Sequence, residues 1–155
     1  MPAPDASRLQ AQLQKWAEGK INLKEVRGYS DEELSAIART AWFFYCQGRV
    51  SEARTLFQGL YAVNPADAYF ARALGVVEFA SGNATFALAA FDVAARLAPN
   101  DAAVYVSRAE VKLAMGQKQA AMEDLRLGAR VVAPDDDLRE KIVRLSARLE
   151  NGRAP

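Results

Sequence analysis

A periodicity of 34 residues in the middle of the chain constrains its fold more than any other feature. A glycine, an alanine, a large apolar residue and a proline each recur at this interval. The recurring positions are Gly48, Gly82 and Gly116; Ala53, Ala87 and Ala121; Phe57, Phe91 and Leu125; and Pro65 and Pro99, with Pro134 one residue late. Such a period indicates a short supersecondary unit that buries its apolar face only by stacking on copies of itself.

The length of the period is typical of the tetratricopeptide repeat (TPR), a pair of antiparallel helices, A and B. We therefore predict an all-α, three-repeat TPR solenoid of antiparallel helix pairs, with an additional amphipathic helix before the repeats and a capping helix after them. The 155 residues have room for a single domain, 1–155. Its predicted segments are the N-terminal helix at 5–18, TPR 1 at 31–65, TPR 2 at 67–99, TPR 3 at 101–134 and the capping helix at 136–151.

Local signals predict where the repeat helices begin and end. Ser30 followed by Glu33 is a capping box, which satisfies two free amides at the start of helix A in TPR 1. Asp67 and Asp101 stand where the A helices of the next two repeats need an N-cap acceptor. The repeated glycine suits the left-handed backbone that ends each A helix.

The first helix carries a narrow apolar stripe on an otherwise polar surface. Asp5 or Ser7 can cap its start, and the stripe consists of Leu9, Leu13 and Trp16. Two interpretations remain open, because a tryptophan is costly to leave in water. The helix either folds back on the repeats or pairs with a partner or with a second copy of the chain, which makes a homodimer through this stripe the predicted alternative.

The segment after Pro134 predicts a helix that covers the open end of the last repeat. Apolar residues recur there at i, i+4, i+7 and i+11, namely Leu138, Ile142, Leu145 and Leu149. Three aspartates at 135–137 precede this stripe and suit a helix start. Their spacing fits no calcium loop, so we interpret them as caps and predict no metal site.

Composition argues against several classes of function. The chain has no histidine, which removes the usual general base and the commonest zinc ligand, and it shows no glycine-rich phosphate loop. We therefore predict a protein that is not an enzyme and has no cofactor. Lys and Arg total 20 against 19 acidic residues, so charge favours neither nucleic acid nor an anionic membrane. A single cysteine, no signal-peptide core and no membrane-spanning run make the cytoplasm the default location.

In stacked TPR hairpins the A helices line a concave groove. The small residues Ala41, Gly75 and Ala109 recur at the same interval and are expected to pack against helix B. With these positions placed there, the helical period predicts which side chains face the groove. They are Ala38, Trp42, Tyr45 and Cys46 in TPR 1, Tyr69, Arg72, Val76 and Phe79 in TPR 2, and Val106, Glu110 and Leu113 in TPR 3. This largely apolar and aromatic surface suits an extended peptide whose alternate side chains enter pockets between the A helices.

The aromatic residues divide into two predicted groups. Trp42, Tyr45, Tyr69 and Phe79 are expected to be exposed in the groove, whereas Phe43 and Phe44 are expected to pack within their repeat. The alternative for the four residues expected in the groove is that they, too, pack within the repeats. A second TPR binding mode, the carboxylate clamp for acidic peptide C-termini, is disfavoured because Ala38 and Trp42 occupy its first positions. Cys46 has no histidine or nearby lysine to activate it and is expected to be inert.

The stretch from about Leu23 to Val132 resembles the class II chaperones of bacterial type III secretion, small LcrH/SycD-like TPR proteins that hold translocator subunits before export. The resemblance is strongest in TPR 1, over residues 41–48 (AWFFYCQG). It continues through 67–70 (DAYF) and 73–75 (ALG) and into TPR 3 at Ala109 and Glu110. The layout of an N-terminal helix, three repeats and a C-terminal helix is also similar.

The resemblance implies a bacterial cytoplasmic chaperone that needs no nucleotide. Its partner would be an extended apolar segment near the N-terminus of a secreted, pore-forming translocator, kept soluble and export-competent. It implies groove contacts at Tyr45, at Tyr69 and Phe70 and along helix A of TPR 3, and homodimerisation through the first helix. A different class of function, a general TPR adaptor that scaffolds folded partners, is the alternative.

Overall fold

The computed structural model describes residues 6–152 and, within them, contains nine α-helices and no β-strand. The helices are α1 (Ala6–Ala17), α2 (Leu23–Arg27), α3 (Asp31–Cys46), α4 (Val50–Val63), α5 (Ala68–Ala80), α6 (Ala84–Leu97), α7 (Ala102–Ala114), α8 (Lys118–Val131) and α9 (Leu138–Glu150). The predicted all-α class is confirmed, and α3/α4, α5/α6 and α7/α8 are the three predicted pairs. Residue 5, where the first helix was predicted to begin and where Asp5 was a candidate cap, lies outside the described residues.

The capping signals act as predicted. Ser30 Oγ accepts the Glu33 N–H at 3.1 Å, while Glu33 Oε2 accepts the Ser30 N–H at 2.8 Å. Asp67 accepts a hydrogen bond from the Tyr69 N–H, and Asp101 accepts one from the Ala103 N–H. The glycines that follow the A helices have φ of 76°, 81° and 75°, in the left-handed region where a Cβ would be strained.

The connector between the first helix and TPR 1 contains a short helix that the sequence pattern did not predict. Asn22 and Glu25 form a reciprocal capping box at the start of α2, and Gly28 ends the helix with φ of 70°. Five residues are too few for a helical period to be visible. Val26 of α2 is buried and contributes to the core of this part of the chain.

The chain divides into two compact units, Met1–Ala66 and Asp67–Pro155, and the single domain predicted for 1–155 stays a prediction. In the first unit, α3 packs antiparallel to α4, and α2 contacts both α1 and α4. The buried apolar residues of this unit are Val26, Leu34, Ala38, Ala41, Ala53, Phe57 and Leu60. The unit therefore consists of one helix pair, α3 and α4, with α1 and the short helix α2.

The second unit holds two helix pairs and α9. Helix α6 packs against α7, and α9 packs against both α7 and α8. Its last repeat has a core of Ala102, Val106, Ala109, Ala121, Leu125, Val132 and Ile142, with Leu138, Leu145 and Leu149 of α9 packed against it. The predicted capping helix thus covers the final repeat with its apolar stripe.

Small residues let the two helices of each pair approach closely. Ala41 and Ala109 are fully buried at the position that Gly75 occupies in the second pair. A Cβ added to Gly75 would lie 2.7 Å from Cε1 of the buried Phe91 ring. Only hydrogen fits at this crossing, which explains the glycine in α5.

Candidate peptide-binding surfaces

In the first unit, Trp42 and Tyr45 of α3 form an aromatic cluster in which Trp42 packs against the buried ring of Phe57. The Trp42 ring centroid lies 4.8 Å from that of Phe57 and 5.5 Å from that of Tyr45, both in edge-to-face geometry. Phe57 is fully buried, whereas Trp42 and Tyr45 are partly accessible. Because the underlying ring holds Trp42 in place, this surface can accept an apolar side chain with little reordering.

Two predictions about α3 are wrong. Phe43 was expected to pack within the repeat, yet it is 58% exposed. Ala38 was expected to face a ligand but is buried, so it offers no side-chain surface in this structure. Phe44 is half-buried, and the guanidinium carbon of Arg49 lies 4.2 Å from its ring centroid. Cys46 is exposed at the end of the helix.

In the second unit, α5 presents an aromatic ring beside a cation. Tyr69 is 40% exposed, and its ring centroid lies 5.7 Å from that of the buried Phe70. The guanidinium carbon of Arg72 lies 5.9 Å from the Tyr69 ring, and its Nε is 3.3 Å from Asp101 Oδ2. Val76 and Phe79 continue this surface and are partly accessible. This pair suits two groups of a peptide. An apolar side chain can pack on the Tyr69 ring, and a backbone carbonyl can accept a hydrogen bond from Arg72.

The three residues predicted in α7 lie on the side of the last repeat that α9 packs against, and only Val106 of them is buried. Val106 is 1% exposed and belongs to the core of the last repeat, so its predicted role as a ligand-facing residue is wrong. Glu110 Oε1 pairs with Lys141 Nζ of α9 at 2.8 Å, and Leu113 packs against the same core. The capping helix occupies the side of α7 to which these positions point.

The apolar stripe of α1 is only partly covered. Leu9 is half-buried, while Leu13 and Trp16 are 44% and 49% exposed. The helix contacts α2, and Gln12 Nε2 donates to the backbone oxygen of Glu25 at 3.4 Å. Trp16 also lines an open cavity of about 380 Å³. The stripe therefore keeps surface for a partner, and its role in dimerisation stays a prediction.

A cluster of charges around the buried Asp124 in the second unit was not predicted. Arg108 donates to Asp124 through Nε at 2.9 Å and through a terminal nitrogen at 2.6 Å, and to Asp92 at 2.8 Å. Lys112 Nζ lies 2.7 Å from Asp124 Oδ2, the oxygen that also accepts from Arg108 Nε. The hydrogen bonds from Arg108 to Asp124 raise the pKa of the guanidinium, so the charge is held at any ordinary pH.

These charges satisfy one another and make the cluster structural. The sequence signal that could have revealed it is Asp124, a carboxylate at the position where the preceding repeat has Ala90. A buried carboxylate at a core position requires cations within reach, and Arg108 and Lys112 lie on one face of α7 at i and i+4.

Two kinds of functional feature are missing from the part of the chain that the structure describes. Residues 6–152 contain no group of histidine, cysteine, aspartate or glutamate side chains that could hold a metal ion. Within the same residues, no helix is long and apolar enough to cross a bilayer. The accessible features of the predicted site are thus aromatic and aliphatic surfaces with Arg72 beside them, which suit non-covalent binding.

Comparison with known proteins finds solved structures with a similar fold, but no matching family model and no matching curated sequence. Among solved structures, it is similar to the type III secretion translocator chaperone SycD of Yersinia enterocolitica, with a TM-score of 0.75 at 23% identity over 84% of this chain and 98% of that one. SycD has also been solved with a peptide of the translocator YopD and as an alternative dimer.

Two other structures extend the comparison. PcrH, a protein of Pseudomonas aeruginosa, in complex with the chaperone-binding region of PopD, matches with a TM-score of 0.71 at 23% identity, over 80% of this chain and 93% of that one. The first TPR unit of Spaghetti (RPAP3), bound to the HSP90 peptide SRMEEVD, matches with a TM-score of 0.71 at 13% identity, over 81% and 97%. At these identities the likeness shows the fold, which is that of TPR proteins.

Proposed function

We propose that this protein is a bacterial cytoplasmic chaperone of type III secretion that binds an extended apolar segment of a translocator in its predicted concave groove. The proposal rests above all on the accessible aromatic surfaces of α3 and α5, which carry Trp42, Tyr45 and Tyr69. Full burial of one aromatic or leucine side chain contributes about 1.5–3 kcal/mol before ordering costs. Two or three such anchors support reversible holding without nucleotide.

The similar structures support the same class of ligand. SycD and PcrH, whose folds this chain shares, have been solved with translocator peptides. Covering an apolar segment lowers the tendency of a cargo to self-associate, and a partner that binds the unfolded chain keeps it unfolded. Both effects serve a cargo that must stay soluble before export. They require a protein that presents apolar surface, which is what α3 and α5 provide.

The Spaghetti structure represents a different TPR ligand, an acidic peptide. A clamp for a terminal carboxylate needs cationic and amide side chains along the first A helices. Here the corresponding positions of α3 hold the buried Ala38 and the aromatic Trp42. Arg72 of α5 already pairs with Asp101. An apolar segment is therefore the better-supported ligand.

Co-expression with the translocator encoded in the same secretion locus tests the proposal. We expect the intact chain to keep that cargo soluble and to co-purify with it. Tyr45→Glu and Tyr69→Glu, which place a charge on each aromatic surface, should each reduce the recovered complex about tenfold or more, since loss of a buried aromatic anchor costs at least about 1.4 kcal/mol.

A matched control comes from α6, where Phe86 is 67% exposed. Phe86→Glu adds the same charge outside the predicted groove and should leave the complex intact. If both tyrosine variants hold the cargo as well as the Phe86→Glu variant does, the proposed binding surface is wrong.

A further inference from the structure

The arginine of α5 stands at a repeat position that is apolar and buried in the other two A helices. Arg72 is equivalent to Ala38 of α3 and to Val106 of α7, which are 2% and 1% exposed. The side chain of Arg72 is 33% exposed. A position that belongs to the core elsewhere therefore carries a solvent-accessible cation in this repeat, and packing within the repeat does not explain it.

Asp101 holds one edge of this guanidinium. Arg72 Nε lies 3.3 Å from Asp101 Oδ2, while Asp101 Oδ1 accepts the Ala103 N–H at 3.0 Å and so caps α7. The start of α7 offsets part of the carboxylate charge. Residues 6–152 give Arg72 no further hydrogen-bond or ion-pair partner. Its two terminal nitrogens, which carry most of its N–H donors, are therefore accessible to a ligand.

A second arginine of the same unit shows what such a guanidinium accommodates. Arg108 donates to Asp124 through Nε and one terminal nitrogen, at 2.9 and 2.6 Å, and to Asp92 through the other terminal nitrogen at 2.8 Å. One planar guanidinium thus holds two carboxylates on different edges. Arg72 holds one carboxylate, at a longer distance, and has the geometry to hold a second.

The neighbouring Tyr69 ring determines where that second carboxylate lies along a bound peptide. The guanidinium carbon of Arg72 is 5.9 Å from the ring centroid, and the ring is 40% exposed. In an extended peptide, side chains at i and i+2 point to the same face about 6.6–6.8 Å apart, whereas neighbours point to opposite faces. The separation of ring and guanidinium therefore matches the i, i+2 spacing.

We infer that Arg72 makes the surface of α5 selective for an extended segment with an acidic side chain two positions from the apolar residue that packs on Tyr69. The carboxylate accepts from the terminal nitrogens of Arg72, while Asp101 keeps Nε. The inference rests on the proposed function, because it defines the chemistry of the bound cargo. The acidic group is an internal side chain, since a clamp for a terminal carboxylate needs several cationic and amide side chains.

Selection from a random peptide library tests this preference without a known cargo. The peptides are displayed on phage, fused at their C-termini, and selected on the immobilised full chain. Wild-type binders should carry Asp or Glu two positions from an apolar residue, and binders of Arg72→Glu should carry Lys or Arg there. Arg96→Glu, a matched change at an exposed arginine of α6, should select as wild type. Wild-type binders without an acidic preference overturn the inference, as does a library that yields no binder.

Fluorescence anisotropy with an amidated synthetic copy of a selected peptide tests the contact itself. Replacement of the acidic residue by its amide, or Arg72→Met in the protein, should each weaken binding about three- to tenfold. The two changes together should cost no more than either alone, because both remove the same contact. Additive losses would mean that Arg72 binds another group of the peptide and would overturn the inference.

Asp101→Asn separates selectivity from a merely structural role of Arg72. Asparagine still caps a helix but no longer competes by charge for the guanidinium. The variant should bind the acidic peptide about two- to fivefold more tightly and its amide counterpart as before. Unchanged or weaker binding of the acidic peptide contradicts a shared guanidinium. Circular dichroism checks that the variants are folded, as expected because Arg72 and Asp101 are each about one-third exposed.

The result is separable from that of the proposed function. A chain that retains its translocator but selects no acidic residue would leave the proposed function standing and remove the inference. A chain that selects acidic peptides through Arg72 but retains no translocator would support the selectivity and remove the proposed cargo.

Discussion

The A helices of the first and third repeats, α3 and α7, are built on the same pattern but are covered to different extents. Phe43 of α3 is 58% exposed, whereas Val111, its equivalent in α7, is fully buried. On the other side, Trp42 of α3 is partly accessible, whereas its equivalent in α7, Glu110, is paired to the capping helix. The same repeat position is therefore core in one helix and surface in the other.

The two helices agree where they face their own partner helix. Ala41 and Ala109 are both fully buried, as are Ala53 and Ala121 in the B helices. The repeat pattern thus specifies the contact within a pair, and the neighbouring pair decides whether the remaining faces are buried. Accessible aromatic side chains arise in α3 because nothing in its own repeat requires those faces to be covered.

The strongest test of this comparison removes one charged side chain from the covered face of α7. Arg108→Ala leaves the Asp124 carboxylate, 2% exposed, without its bidentate partner. Breaking a buried pair typically costs about 3–5 kcal/mol. We expect about 3 kcal/mol of unfolding free energy, the low end, because Lys112 still pairs with Asp124. Urea denaturation followed by circular dichroism measures it.

Thr40 occupies the equivalent position of α3 and provides the control. Because that face is exposed, Thr40→Ala should change stability by less than about 0.5 kcal/mol. Equal effects of the two substitutions would mean that the faces of α3 and α7 do not differ in the way described.

A second, smaller effect is expected inside a helix pair, where α5 and α6 approach each other at Gly75. Gly75→Ala places a methyl group 2.7 Å from the Phe91 ring, which is buried and has little room to move. Overpacking of this kind costs about 1–3 kcal/mol. Thermal or urea unfolding should show the loss, even though alanine is tolerated at the equivalent Ala41 and Ala109.

Gly59 supplies the matched substitution, since an added Cβ there meets nothing within 4 Å. Gly59→Ala in the middle of α4 should stabilise the protein by about 0.5–1 kcal/mol through reduced backbone entropy. If Gly75→Ala also stabilised the protein, the close approach of α5 and α6 would not require glycine.

The comparison also explains which features could be predicted from the sequence. The helix pairs, their N-caps and the glycine turns depend on residues within a few positions of one another, so the pattern determines them. Ser30 with Glu33, and Asp101, cap their helices as expected. The capping role of α9 followed from its own apolar period, which ends with Ile142 in the core.

The errors concern faces whose environment depends on another element. Phe43 was expected to be packed and Val106 to be accessible, because the period places a residue on a helix face but does not show what covers that face. Helix α9 covers Val106, whereas the face of Phe43 is open. The pair of Arg108 and Asp124 was missed for a similar reason. Arg108 lies in α7 and Asp124 in α8, and the repeat pattern predicts that these helices pack together but not which of their side chains meet.

The smallest of the three expected losses concerns the ion pair that joins the capping helix to α7. Lys141→Met removes the partner of Glu110 but keeps the aliphatic stem, and both side chains are about one-third exposed. Partly exposed pairs contribute less than about 1 kcal/mol and weaken with salt. We therefore expect a loss in that range at low ionic strength that disappears near 1 M salt. A loss well above about 1 kcal/mol at low ionic strength that falls as salt is added would show that this charge pair, and not the apolar stripe of α9, holds the covered side of the third repeat.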